Sequence, residues 1–206
     1  MIYDVSMLIH EDMQVYKNKE EKRPVIENVS NHKDGHAHES KIIMNLHTGT
    51  HIDFPLHMIE QGKTSDSEVI NKFLTTCKVL DMTDLTSHVD GKSLSKYQIE
   101  EGDFILLKTK NSFSDAFISD FIYLNEDGAK FLLEKKVKGV GIDGLGIERN
   151  QEGHPTHKIL LGHDIPIIEG LRLKDIKEAS YEMICLPLKI KHVEALPARI
   201  ILKDLT

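Results

Sequence analysis

Three imidazoles and a carboxylate fall within the run His47-Thr48-Gly49-Thr50-His51-Ile52-Asp53-Phe54-Pro55-Leu56-His57, and that run restricts the fold more than any other part of the chain. His47, His51, Asp53 and His57 share one parity, so a plain strand would turn all four to one face. At a rise of ~3.3 Å per residue, however, His47 and His51 would then stand about 13 Å apart, whereas two ligands of one zinc-sized ion each lie ~2.0–2.2 Å from it. A continuous helix fails too, because Gly49 weakens it and the Pro55 ring would clash with the carbonyl of His51. The backbone must bend if these groups act together. We read a strand ending near His47, a compact loop opened by Gly49, and a new helical turn begun by Pro55.

Imidazole nitrogen and carboxylate oxygen suit zinc, manganese, cobalt or iron, and a set without thiolates reads as a catalytic rather than a structural site. Zinc is the default expectation. A second block, His157 to Leu171, adds two donors. Pro155 and Gly162 bracket a short helix that carries His157. Glu169 ends the apolar run Ile165-Pro166-Ile167-Ile168, where an ionised carboxylate is costly unless paired or coordinated. His154 and His163 compete with His157 by proximity. His36 and His38 follow a polar stretch and read as solvated loop residues. Asp143 suits a turn or cap as well as a functional role.

The pattern His-x-Gly-Thr-His-x-Asp-x-Pro-x-His resembles the signature of the metal-dependent cyclase-like hydrolases, which include bacterial kynurenine formamidases and isatin hydrolases. His157 and Glu169 resemble that family's downstream ligands, and looser likenesses run through Gly102–Thr109, Gly141–Asp143 and Leu196–Arg199. The resemblance implies two zinc ions per subunit, with manganese an alternative. His47, His51 and Asp53 would hold the first ion, Asp53 would bridge to a second also bound by His157, and Glu169 would contact both. It implies His57 as general acid/base; read from the residues alone, His57 could equally be a third ligand or a partner behind the ligands. It also implies the swivelling β/β/α fold, a homodimer, and hydrolysis of N-formyl-L-kynurenine to L-kynurenine and formate, a step of tryptophan catabolism. The family's N-terminal aryl-stacking tryptophan has no match, since the chain has no Trp; Tyr16 occupies the counterpart position and offers a phenol ring for the substrate.

Composition agrees. The 206 residues, without a Pro/Gly/Ser-rich linker, suit one domain over 1–206 with one sizeable core. A net charge of -7 with scattered basic residues argues against nucleic acid or an anionic membrane as partner and leaves a small-molecule substrate. The N-terminal Met1–Ile9 stretch carries an acid and no basic leader, so it reads as a strand and not a signal peptide, and no apolar run approaches the ~20 residues of a membrane span. The two cysteines, Cys77 and Cys185, are too few to frame the fold by disulfides and fit a reducing cytoplasm.

Apolar periodicity marks strands at 2–9, 40–47, 78–84, 103–109, 139–143, 182–191 and 198–204, a helix at 127–137, and shorter helices at 66–74 and 155–161. The mixture suggests an α/β or α+β domain with a substantial mixed sheet. The reaction expected is hydrolysis of a small amide or formamide C–N bond, because paired cations lower the pKa of water and polarise a carbonyl. Two alternatives stand beside it: a hydrolase or cyclase of another cyclic amide or lactone, isatin hydrolase-like, and a non-catalytic metal-binding module.

Overall fold

The computed structural model describes residues 1–67 and 70–205. Its strands are β1 (Ile2–Asp4), β2 (Val25–Ser30), β3 (Glu39–Ile43), β4 (His51–Asp53), β5 (Leu74–Asp81), β6 (His88–Val89), β7 (Phe104–Lys108), β8 (Tyr123–Leu124), β9 (Gly139–Ile142), β10 (Ile167–Glu169), β11 (Ala179–Pro187) and β12 (Ala195–Asp204). The α-helices are α1 (Gly91–Leu94), α2 (Glu126–Glu134) and α3 (Pro155–Gly162). The main sheet runs β1-β12-β11-β5-β7-β9-β10-β4, and β4 also pairs with β12, so the sheet closes on itself as a barrel. Within this sheet β5, β7, β9 and β10 run parallel, and its other pairings are antiparallel.

The parallel strands read as unbroken apolar runs because both faces are covered. Along β7, Ile105 and Leu107 point to one core with Leu94, Leu132 and Leu160 from the helices, while Phe104 and Leu106 point to a second core with Ile52, Met183 and Ile200 inside the barrel. This α+β architecture, with helices on the outer face of a closed mixed sheet, matches the expected fold class. Among the described residues no helix is long and apolar enough to cross a membrane.

Several boundaries differ from the sequence expectation. The first strand stops at Asp4, whose Oδ1 accepts the Ser6 N–H and turns the chain. The strand expected to end near His47 stops at Ile43, because Asn45 starts a turn: its Oδ1 accepts from His47 N at 2.9 Å and its carbonyl from Thr48 N at 3.0 Å. That strand pairs with β2 as a separate hairpin. In place of a helix at 66–74 there are 3-10 turns at Ser65–Ser67 and Ile70–Lys72, followed by β5; residues 68 and 69 lie outside the described ones. Asp66 spends its carboxylate on His192 N, and the β-branched Thr75 and Thr76 favour the strand that follows. α2 ends at Glu134 because Lys136 is left-handed at φ 54°. β2, β4, β6, β8, β10 and α1 were not anticipated.

Candidate metal centre

His47, His51, Asp53, His57, His157 and Glu169 come together at one wall of the barrel, and Tyr16 reaches the cavity beside them. The expected bend is present. Thr48 Oγ1 donates to Lys22 O, Gly49 is left-handed at φ 75° with Ile9 packed where a Cβ would be, and Thr50 Oγ1 donates to Gly170 O at 2.6 Å. Gly170, at φ 70°, approaches the Gly49 carbonyl so closely that a Cβ would sit 2.7 Å from it. These contacts bring His47 back to within 3.2 Å of His51, Nδ1 to Nε2. β4 then carries His51 and Asp53, and the β10–β4 register sets Glu169 opposite His51. Pro55 opens a 3-10 turn that presents His57, whose ring centroid lies 4.2 Å from that of His47 and 5.4 Å from that of His157. α3 delivers His157 from the outer layer.

The imidazoles are oriented from behind. His51 Nδ1 donates to Gly49 O at 2.9 Å, so its Nε2 faces inward, 3.3 Å from Asp53 Oδ1 and 3.5 Å from Glu169 Oε2. His157 Nδ1 donates to Glu148 Oε1 at 2.7 Å, and its Nε2 stands 3.4 Å from Glu169 Oε1 and 3.8 Å from Asp53 Oδ2. Nitrogen lone pairs and carboxylate oxygens thus converge, which repels unless a cation or a proton lies between them. Asp53 makes the point most sharply. Both its oxygens are fully buried and among the described residues neither receives a hydrogen bond, although His47 Nδ1 comes within 2.9 Å of Oδ1 without hydrogen-bond alignment. A buried carboxylate without a hydrogen bond is costly in a fold, and a metal cation would remove that cost.

Without a metal, protons carry part of the load. Burial pushes the His51 imidazolium down, but Asp53 and Glu169 outweigh it and bring its pKa up to about 9. At His157 burial is likewise overcome, by Glu148 and Glu169, to about 10. Asp53, which burial alone would raise, is held well below the usual carboxylate range by His51 and His47. His57 goes the other way: burial and the neighbouring His47 and His157 lower it, against Asp53 and Glu169, so its ring is neutral at pH 7.

Among the described residues three donor groups each have their members within ligating distance: His47, Asp53 and His57; His51, Asp53 and Glu169; and Glu148, His154 and His157. They border a cavity of about 210 Å³ lined by Tyr16, Lys22, Asn45, His57, Met58 and Gly146, among others. Tyr16 is held edge-on by Phe117 and Phe121, with centroids at 5.6 and 6.2 Å. His163 is exposed and donates to Ile159 O, and His36 and His38 are exposed on the β2–β3 hairpin. Asp143 is buried and accepts four hydrogen bonds from Thr109 and Ser112, so it anchors the loop after β7. Glu148, Lys22 and Glu194, 3.4 Å from His47 Nε2, were missed. No periodicity or spacing marks them in the sequence.

The donor set and its buried carboxylate without a hydrogen bond fit a metal cofactor. Residues 3–149 match the model of the cyclase family, described as putative cyclase. The chain is 33% identical over 167 residues to a kynurenine formamidase of Erythrobacter litoralis, covering 80% of this chain and 76% of that one. It is 30% identical over 178 residues to a kynurenine formamidase of Bacillus thuringiensis, covering 85% of each. Among solved structures, a predicted metal-dependent hydrolase from Bacillus stearothermophilus superposes with a TM-score of 0.90 at 50% identity, over 98% of this chain and 97% of that one. Isatin hydrolase A from Labrenzia aggregata, at 22% identity, shares the fold with a TM-score of 0.86 over 98% and 93% of the two chains. The fold and the donor cluster define a metal-dependent hydrolase. The chain belongs to the cyclase family.

Proposed function

We propose that this hydrolase cleaves the C–N bond of a small formamide, N-formyl-L-kynurenine plus water giving L-kynurenine and formate, and so serves tryptophan catabolism. The observation that carries the reading is the buried Asp53 carboxylate, without a hydrogen bond, among inward-facing imidazole nitrogens. His47, His51 and Asp53 would hold one zinc ion and His157 a second, with Asp53 and Glu169 shared; manganese suits the same donors. Bound cations lower the pKa of water and polarise a carbonyl oxygen.

The protein's own residues supply the rest. His57, neutral and bordering the cavity, takes a proton from the attacking water as its oxygen adds to the formyl carbon. As the C–N bond breaks, the same imidazole returns that proton to the leaving nitrogen, so the products are an amine and formate. Tyr16 offers an aromatic face, fixed by Phe117 and Phe121, for an aryl group. Lys22 Nζ lies 5.4 Å from the Tyr16 ring, and among the described residues no carboxylate is paired with it, so an amino-acid carboxylate on the substrate suits that end of the cavity. This favours the formamide over a neutral cyclic amide.

The domain would span residues 1–206. A homodimer is supported by the β2–β3 hairpin, which leaves Val25, Ile26, Val29, Ile42 and Ile43 exposed, because a two-stranded ribbon is marginal alone in water. Free, buried thiols at Cys77 and Cys185 suit the cytoplasm. The test is product analysis with the metal-loaded enzyme. Equal amounts of formate and L-kynurenine support the proposal; ring opening of isatin with no action on the formamide overturns it.

A further inference from the structure

Glu148 is almost fully buried, with 2% of its side chain exposed, and although it shares a donor group with His154 and His157 the proposed chemistry does not use it. Its Oε1 accepts from His157 Nδ1 at 2.7 Å and from His154 Nδ1 at 2.8 Å; its Oε2 accepts from Thr156 N and Gln151 Nε2, both at 3.0 Å. All of its hydrogen bonds are therefore local to α3 and the segment leading into it. The equivalent position behind His51 is filled by a neutral backbone carbonyl, Gly49 O. The two inward-facing imidazoles are thus supported unequally, one by a peptide dipole and the other by a full negative charge.

We infer that Glu148 is a positioning residue that selectively secures the ion on the His157 side, by fixing the His157 ring with Nε2 inward and lending it charge. The inference rests on the two-ion reading above. A carboxylate behind a ligating imidazole sets its tautomer and raises its basicity. Because Glu148 makes no hydrogen bond or ion pair with His47, His51 or Asp53 among the described residues, the ion on the other side should be indifferent to it. A direct ligand role for Glu148 is disfavoured because both neighbouring imidazoles already point Nδ1 at the same oxygen at hydrogen-bond length.

The experiment is titration of metal-free protein with zinc against a competing chromophoric chelator, and with cobalt followed by its visible absorption, for the wild type, Glu148→Gln and Glu148→Ala. The wild type should take up two ions. In Glu148→Gln one ion should bind as in the wild type and the other about 10–100-fold more weakly. Glu148→Ala, which loses the acceptor as well as the charge, should be weaker again at that ion. Far-UV circular dichroism identifies any variant that has not folded, and Glu148→Gln, which keeps an acceptor for Thr156 N, preserves the comparison if Glu148→Ala fails. Wild-type affinity for both ions in Glu148→Gln overturns the inference, as does equal weakening of both. A wild type that takes up fewer than two ions overturns the two-ion reading itself, and is distinguishable because it needs no variant.

Discussion

Asp53 and Glu169 divide their oxygens between the same two histidines: Asp53 Oδ1 and Glu169 Oε2 face His51 at 3.3 and 3.5 Å, while Asp53 Oδ2 and Glu169 Oε1 face His157 at 3.8 and 3.4 Å. Two strands and one helix create this symmetry, since β4 and β10 set Glu169 opposite His51 and α3 brings His157 from outside the sheet. Removing charge from either carboxylate should therefore weaken metal binding on both sides. For Asp53→Asn the loss should exceed the roughly 10–100-fold that partners behind the ligands cost. Metal content after dialysis against graded chelator checks this; wild-type retention would contradict it.

His57 is expected to separate binding from turnover. His57→Ala should keep its metal and lose about 10²–10⁴-fold in kcat, the usual contribution of a positioned acid/base. The sign of the pH dependence follows from its lowered pKa: the ring must be neutral to accept a proton, so activity is present above that pKa and lost as pH falls through it. Because the folded value lies below 6.5, the acid limb of the wild-type kcat profile should fall below pH 6.5. A limb above that value would contradict the assignment.

Lys22 should govern KM for charged substrates. A charge-assisted hydrogen bond contributes about 1.5–3 kcal/mol, so Lys22→Met should raise KM for N-formyl-L-kynurenine roughly 10–100-fold. KM for a neutral formanilide should stay unchanged. Parallel Michaelis–Menten series on the two substrates decide it, and equal changes in both would remove Lys22 from substrate recognition.

Away from the site, Asp81 and Asp90 contribute to the acid edge of stability. Burial raises Asp81, but Thr83 and Lys108 lower it further, and Ser93 lowers Asp90, which caps α1. Both folded values lie below the ordinary 3.8, so their contribution is present above pH 3.8 and is lost as pH falls through the depressed values. Urea midpoints for the wild type should drop over that interval, and Asp81→Asn should drop less steeply. An identical slope in the variant would contradict the linkage.

The ligand run was legible in the sequence because its spacing conflicts with strand rise and its Gly and Pro supply the bend. The long apolar strands β7, β11 and β12 were legible for a similar local reason. β4 and β10 were not, since each has three residues and exists only because distant strands pair with it. The same non-locality hid Glu148, whose role depends on how α3 docks, and Lys22, which Thr48 ties to the ligand loop through its carbonyl. His157 was legible on its short helix, whereas its partnership with Glu148 was not.

The most direct test of the account is hydrolysis of N-formyl-L-kynurenine by chelator-stripped protein before and after reloading with zinc or manganese. Stripped protein should show no turnover, and reloading should give stoichiometric metal uptake and restored release of formate. Turnover that persists in metal-free protein, or a folded protein that takes up no metal, would contradict it.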